Sequence, residues 1–198
     1  MNTVTRLIIF SAVLGVILIE RFLETFARRN KIKGALKVPW TFWIMTIVYI
    51  VVVSVAFIDF LYFSDTANYN YVLSGAGLAL YVFGLIVRNW SIRVLGKYWS
   101  VHIEIRESHK LIVGGPYKYS RHPAYLAIAA EVVGICLFLN SYKAFFIALL
   151  FFMPTIVHRI YLEEQEMASK LGQEYLAYRE RVPVFFPFLR GRKKSPED

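Results

Sequence analysis

The stretch YKYSRHPAYL, residues 117–126, gathers an Arg, a His and three Tyr around one Pro, directly before the apolar run Ala127–Leu139. Anchoring a membrane helix calls for aromatic and basic residues at its entrance, but not for a His–Pro–x–Tyr step. Side chains that can both donate and accept hydrogen bonds, set at the mouth of an apolar helix, suit the binding of a polar small molecule. A second polar group lies downstream. Arg159 and Glu163 are four residues apart and share a helix face, with Glu166 and Lys170 continuing the charged pattern. Arg159 falls where an apolar helix ends, so its charge must find a partner or reach for water. Glu131 lies about two turns inside an apolar helix, where an unpaired carboxylate costs about 3 kcal/mol. It is expected to bond to a neighbouring helix.

The elements that must position these groups are membrane helices. Of the 198 residues, 57% are hydrophobic and 19% charged, too apolar for an ordinary soluble domain of this length. Five apolar segments stand out: Val4–Leu23, Val38–Tyr62, Tyr71–Val87, Tyr125–Leu139 and Ala144–Tyr161. A helix needs about 20 residues to cross the hydrocarbon core, which the second segment exceeds. The fourth is short, and only NSYK separates it from the fifth, so these two read as an antiparallel helical hairpin. The expected fold is an all-α integral membrane protein of about five transmembrane helices. Residues 1–94 hold helices one to three. Residues 95–198 hold a cytosolic ligand-binding loop, helices four and five, and a cytosolic C-terminal helix. Leu7–Ile19 has its basic cluster after it and no small-x-small cleavage site, so it reads as a retained first span and not as a signal peptide. Gly77 and Gly84 are seven residues apart on one face of the third helix, where a second helix can approach closely.

Charge placement sets the orientation. Twenty of the 23 Lys and Arg lie in residues 28–37, in residues 88–121 and from Arg159 onward. With five spans these segments share one side, which must be cytosolic, with the N-terminus outside and the C-terminus inside. The net charge of +9 is thereby explained without a nucleic-acid partner. The lone Cys136 excludes an internal disulfide. His102, His109, His122 and His158 lack a regular ligand spacing, so no metal is expected. No phosphate-binding glycine loop or nucleophile elbow is present. Between Leu95 and Tyr125, VHIEIRE alternates as an extended segment and GGP marks a turn. So long an irregular connection in a small protein is characteristic of a binding loop.

The order His–x–Leu–aliphatic (from His109), Gly–x–Tyr (from Gly115), Arg–His–Pro–x–Tyr (from Arg121), Arg–x3–Glu–Glu (from Arg159) and Leu–Gly–x–Glu–Tyr (from Leu171) resembles the isoprenylcysteine carboxyl methyltransferases and their prokaryotic relatives. The resemblance covers about Leu95–Leu189, roughly half the chain; the first spans match only in being apolar. It implies an integral membrane enzyme that uses S-adenosyl-L-methionine. The family's cofactor loop falls on His109, Lys110, Leu111 and Ile112, with Tyr117 after the turn. Its His–Pro–x–Tyr element falls on His122, Pro123, Ala124 and Tyr125, its cofactor-binding glutamate on Glu163, and a further cofactor contact near Glu104. The arginine facing the substrate carboxylate falls on Arg159.

The implied reaction is methylation of the carboxylate of a prenylcysteine-like lipophilic acceptor that arrives from the bilayer, in the cell membrane or the endoplasmic reticulum. A carboxylate is already ionised at neutral pH and needs little acid–base help. Arg159 would orient it, and Glu163 would hold the cofactor's ammonium or hydroxyls. The Arg–His–Pro–x–Tyr step is also found in phospholipid N-methyltransferases and in membrane sterol reductases that use NADPH. Methylation of another lipid, an NADPH-dependent reduction and a non-catalytic membrane adaptor are therefore the alternatives.

Overall fold

The computed structural model describes residues 3–23, 35–38, 40–63, 69–100, 103–105 and 111–185. Among the described residues, seven α-helices run in the order α1 (Thr3–Phe22), α2 (Trp40–Ile58), α3 (Tyr71–Leu95), α4 (Pro123–Phe138), α5 (Tyr142–Ile147), α6 (Met153–Leu171) and α7 (Gln173–Arg181). A π turn, Asp59–Phe63, extends α2, and a 3-10 turn, Gly96–Tyr98, extends α3. A second π turn, Ala148–Phe152, joins α5 to α6 without a break. Among the described residues, three continuous helices are long and apolar enough to cross a membrane: Trp40–Phe63, Tyr71–Tyr98 and Tyr142–Leu171. Helix α4 is apolar but has only 16 residues, and α1 has 20. The all-α expectation needs one small amendment. Residues Ala35–Lys37 (β1) pair antiparallel with Ile103–Ile105 (β2), placing part of the alternating segment opposite the residues that precede α2.

The third apolar segment does not stop at Val87 but continues as helix to Leu95. Asn70 starts it by accepting from the Leu73 amide, and Gly96, at φ 51°, ends it. This length matters because α3 and α4 form the most intimate helix pair in the bundle. A Cβ on Gly134 would lie 2.7 Å from the Tyr81 nitrogen and 2.8 Å from the Gly77 oxygen. A Cβ on Gly84 would lie 2.8 Å from the Ala127 oxygen. The glycines expected to admit a helix do so, and the helix admitted is α4. Gly134→Val places two methyls against main chain that cannot rotate away, and is expected to cost about 3 kcal/mol or more. Thermal unfolding in detergent would register it as a clear fall in midpoint, whereas Gly75→Ala, in open space, should be silent.

At the far end of α4 the chain reverses through Leu139–Ser141, with Asn140 at φ 54°. Ser141 caps α5 through the Ala144 amide and donates to Asp59 Oδ2 at 2.8 Å, while Lys143 Nζ lies 2.7 Å from Asp59 Oδ1. The carboxylate near the end of the second apolar segment is thus paired. The expected hairpin turn is present, yet the closest packing of α4 is sideways onto α3. Pro154, the second residue of α6, sits two positions after the end of the π turn, and the Thr155 hydroxyl donates to the Phe152 carbonyl at 2.7 Å. The π turn and the proline together account for the local change in helix geometry. Phe152, fully buried, is thereby placed in the bundle interior with Val52, Phe60, Val132 and Ile156.

Candidate active site

Pro123 is the first residue of α4, where its missing N–H costs nothing and its fixed φ favours helix entry. That puts Tyr125 in the first turn, facing α6. The Tyr125 hydroxyl donates to Glu163 Oε2 at 2.9 Å and accepts from Arg159 Nε at 3.3 Å. Arg159, only 3% exposed, also donates from Nη1 to Thr41 Oγ1 at 3.2 Å. Its guanidinium carbon is 6.0 Å from the centre of the Tyr125 ring. Arg159 and Glu163 therefore meet as expected from their spacing, with the Tyr125 hydroxyl bridging them.

The second half of the Arg–His–Pro–x–Tyr element has a different task. Arg121 donates to Glu164 Oε1 from Nε at 2.8 Å, and to the Arg179 and Val182 carbonyls from Nη1, each at 2.8 Å. His122 Nε2 lies 3.2 Å from the same Glu164 oxygen. The Arg121 amide bonds to the Pro183 carbonyl, and the Ser120 hydroxyl to the Val184 carbonyl. These contacts strap α7 and the segment after it across the start of α4. Tyr175 and Tyr178 are buried by this arrangement, and the Tyr178 hydroxyl donates to the Tyr117 carbonyl at 2.7 Å. Burial pushes the Tyr178 phenol up to about 12. Burial also raises Tyr117, and the charge of Glu163 beside it adds to the shift. All these phenols stay neutral and able to donate at physiological pH.

These side chains line one end of a cavity of about 860 Å³. The polar end is formed by Tyr98–Ser100, Leu111, Ile112, Tyr117, His122, Ala124, Tyr125, Glu163, Met167, Tyr175 and Tyr178. From Arg159 the cavity continues as an apolar groove between α1 and α2. On α2 and the π turn that extends it, every turn contributes: Phe42, Met45, Tyr49, Val53, Phe57 and Leu61. From Phe42 to Leu61 the groove runs about 28 Å along the helix. Phe10, Leu14 and Ile17 of α1 form its other wall.

Of the residues expected at a site, Leu111, Ile112, Tyr117, His122, Ala124, Tyr125, Arg159 and Glu163 all line this one cavity. Pro123 positions them from the α4 start. Glu104 lies in β2, its backbone paired with Leu36. His109 and Lys110 lie outside the described residues. Sequence reasoning passed over Arg121, Glu164, Tyr175, Tyr178 and Thr41. The first two sit beside chosen residues in the quoted motifs, so their charge and adjacency were a usable signal. Thr41 carried none, being one hydroxyl at the edge of an apolar run.

Fold and site define an integral-membrane helical protein in which buried Arg159, with half-buried Tyr125 and Glu163, stands between a polar pocket and an apolar groove. Residues 77–169 match the model of the isoprenylcysteine carboxyl methyltransferase (ICMT) family. The chain is 32% identical over 120 residues to protein-S-isoprenylcysteine O-methyltransferase B of Arabidopsis thaliana, covering 59% of this chain and 60% of that protein. It is 30% identical over 134 residues to a probable protein-S-isoprenylcysteine O-methyltransferase of Oryza sativa subsp. indica, covering 65% of this chain and 68% of that protein. The solved structure of the eukaryotic intramembrane Ras methyltransferase ICMT superposes with a TM-score of 0.59 at 26% identity, over 75% of this chain and 53% of that one. This chain belongs to the isoprenylcysteine carboxyl methyltransferase family. It spans between 44% and 68% of the length of the curated relatives from Xenopus laevis, Arabidopsis and rice.

Proposed function

We propose that this protein transfers a methyl group from S-adenosyl-L-methionine to the carboxylate of an isoprenylcysteine-like lipophilic acceptor. The observation that carries this reading is the position of Arg159. It is a buried guanidinium where a polar pocket meets a groove long enough for a lipid chain. An anionic head with an apolar tail matches that pair of environments. The amine headgroup of a phospholipid N-methyltransferase substrate, an ammonium at neutral pH that must lose a proton to react, would instead face a buried cation.

The polar pocket fits the cofactor by its donor set. Glu163 offers carboxylate oxygens to an ammonium or to hydroxyls, while Leu111, Ile112 and Met167 supply apolar contact. Tyr117 and Tyr175 add neutral phenols. When bound, the cofactor supplies an electrophilic methyl on a sulfonium. The protein's own work is positional. Arg159 orients the carboxylate, and Tyr125 fixes Arg159 relative to Glu163 so that cofactor and acceptor are held in register. The groove keeps water from the nucleophile. We place the polar pocket on the cytosolic side of a five-span bundle, counting α1 and α4 as spans, with the N-terminus outside. The asymmetric distribution of Lys and Arg supports this orientation.

Isothermal titration with S-adenosylhomocysteine and with NADPH tests the cofactor, and methyl transfer to N-acetyl-S-farnesyl-L-cysteine tests the acceptor. S-adenosylhomocysteine should bind and NADPH should not. Glu163→Gln should weaken S-adenosylhomocysteine by about 1–3 kcal/mol, the loss of a hydrogen bond to a charged partner. Binding of NADPH in place of S-adenosylhomocysteine would favour a reductase.

A further inference from the structure

Four ionisable side chains other than those of the Arg159–Tyr125–Glu163 site meet inside the bundle. Glu131 of α4, 1% exposed, pairs through Oε1 with Arg88 Nε of α3 at 3.0 Å and through Oε2 with Arg21 Nη2 of α1 at 3.2 Å. Arg88, 2% exposed, also pairs with Glu20 of α1. Arg21 in turn lies over the Tyr49 ring of α2, 5.1 Å from its centre. The cluster is electroneutral and joins four helices. One half of it is rigid, because Gly84 lets α3 rest on α4 at Glu131 itself; a Cβ there would lie 2.7 Å from Glu131 Cγ.

Buried ion pairs seldom stabilise a fold over apolar packing of the same volume, and in a membrane they are costlier still. Their use here follows from what α1 lacks. Leu7, Ile8, Leu18 and Ile19 of α1 are exposed, and lipid solvates them as well as a neighbouring helix would. Ile17 in the core and Phe10 against Phe57 set which side of α1 faces the bundle. Polar contacts at both ends set its depth: Arg6 Nη1 lies 3.4 and 3.3 Å from the Phe60 and Leu61 carbonyls, and at the other end Glu20 and Arg21 reach two fixed counter-charges. Helix α1 is also one wall of the groove, through Phe10, Leu14 and Ile17, and Arg21 itself lines the cavity.

We infer that Glu131 and Arg88 are positioning residues for the acceptor. They hold α1 in place, and so set the width of the groove that receives the lipid chain, without bearing on the cofactor pocket. The inference rests on the methyltransferase reading for the identity of the acceptor.

The test uses the full chain in nanodiscs. Spin labels at Ile8 of α1 and Phe146 of α5, both exposed, report where α1 stands. Titrations with N-acetyl-S-farnesyl-L-cysteine and with S-adenosylhomocysteine report the two halves of the cavity. In Glu131→Gln the interlabel distance distribution should broaden and acceptor affinity should fall about tenfold or more, while S-adenosylhomocysteine affinity stays within about twofold. Glu131→Asp, which keeps the charge, should recover most of the acceptor affinity. Glu20→Gln removes the half-buried partner of Arg88 without changing a residue that lines the cavity, and supplies a milder variant should Glu131→Gln fold poorly. Equal weakening of both ligands, or an unchanged distance distribution, overturns the inference. A parent protein that binds no acceptor refutes the methyltransferase reading instead, and the label distances alone then decide whether the charges place α1.

Discussion

Arg159→Lys is expected to bind S-adenosylhomocysteine as the parent does and yet to lose methyl transfer by about a hundredfold or more. Lysine keeps the charge, so a site that needed only a cation would tolerate it. In the structure Arg159 uses two different nitrogens at once, Nε toward the Tyr125 hydroxyl and Nη1 toward Thr41 Oγ1. A single ammonium on a flexible stem cannot hold both partners in those directions, so the acceptor carboxylate proposed to bind there would be misaligned. Glu163→Gln should show the opposite pattern, with weakened S-adenosylhomocysteine binding. The shared Tyr125 bridge makes the comparison sharp. If the constellation were only a structural brace, both variants would fail together through loss of stability. Thermal midpoint, cofactor affinity and turnover on the same three proteins separate these outcomes. Matched stability losses with equal residual activity would remove the division of labour proposed for the two residues.

Arg121→Met should destabilise the protein by about 3–5 kcal/mol, the usual cost of removing one member of a buried ion pair. Its guanidinium holds Glu164 and two carbonyls near the end of α7, and Glu164 is itself 9% exposed. His122 and the more distant Arg179, 3.7 Å away, remain near the abandoned carboxylate, which places the expected loss toward the lower end. Arg121→Met combined with Glu164→Gln should recover part of it, because the second change removes the stranded charge. Denaturation in mild detergent measures both. Because α7 carries Tyr175 and Tyr178 into the polar pocket, the single variant should also weaken S-adenosylhomocysteine. Parent-like stability in the single variant would show that the remaining bonds, from the Arg121 and His122 amides and the Ser120 and Tyr178 hydroxyls, suffice to hold the strap.

Much of the site was readable along the chain because its chemistry is local. Arg159 and Glu163 share a face by spacing alone, and Pro123 marks a helix start by its own covalent geometry. Glu131 was legible as a cost in search of a partner, since a carboxylate in an apolar helix has few stable fates. The glycines of α3 announced a close approach by what they lack. Their partner was not announced, because Gly134 sits in a different apolar segment and any of several could have faced α3.

The amino-acid sequence by itself determined that the protein is a helical membrane bundle, that polar residues gather around residues 109–125 and 159–166, and that Arg159 and Glu163 lie on one helix face. These follow from composition, periodicity and the immediate neighbours of each residue. Only the tertiary structure decided that Thr41 touches Arg159, that Glu164 and not Glu163 anchors Arg121, and that Glu131 pairs with Arg88 and Arg21. Those contacts join residues 43 to 118 positions apart. In lipid the apolar face of one helix looks much like that of another, so hydrophobicity does not choose which helices meet or at what depth. Backbone approach at glycines and pairing of buried charges make that choice, and both exist only once the helices are side by side.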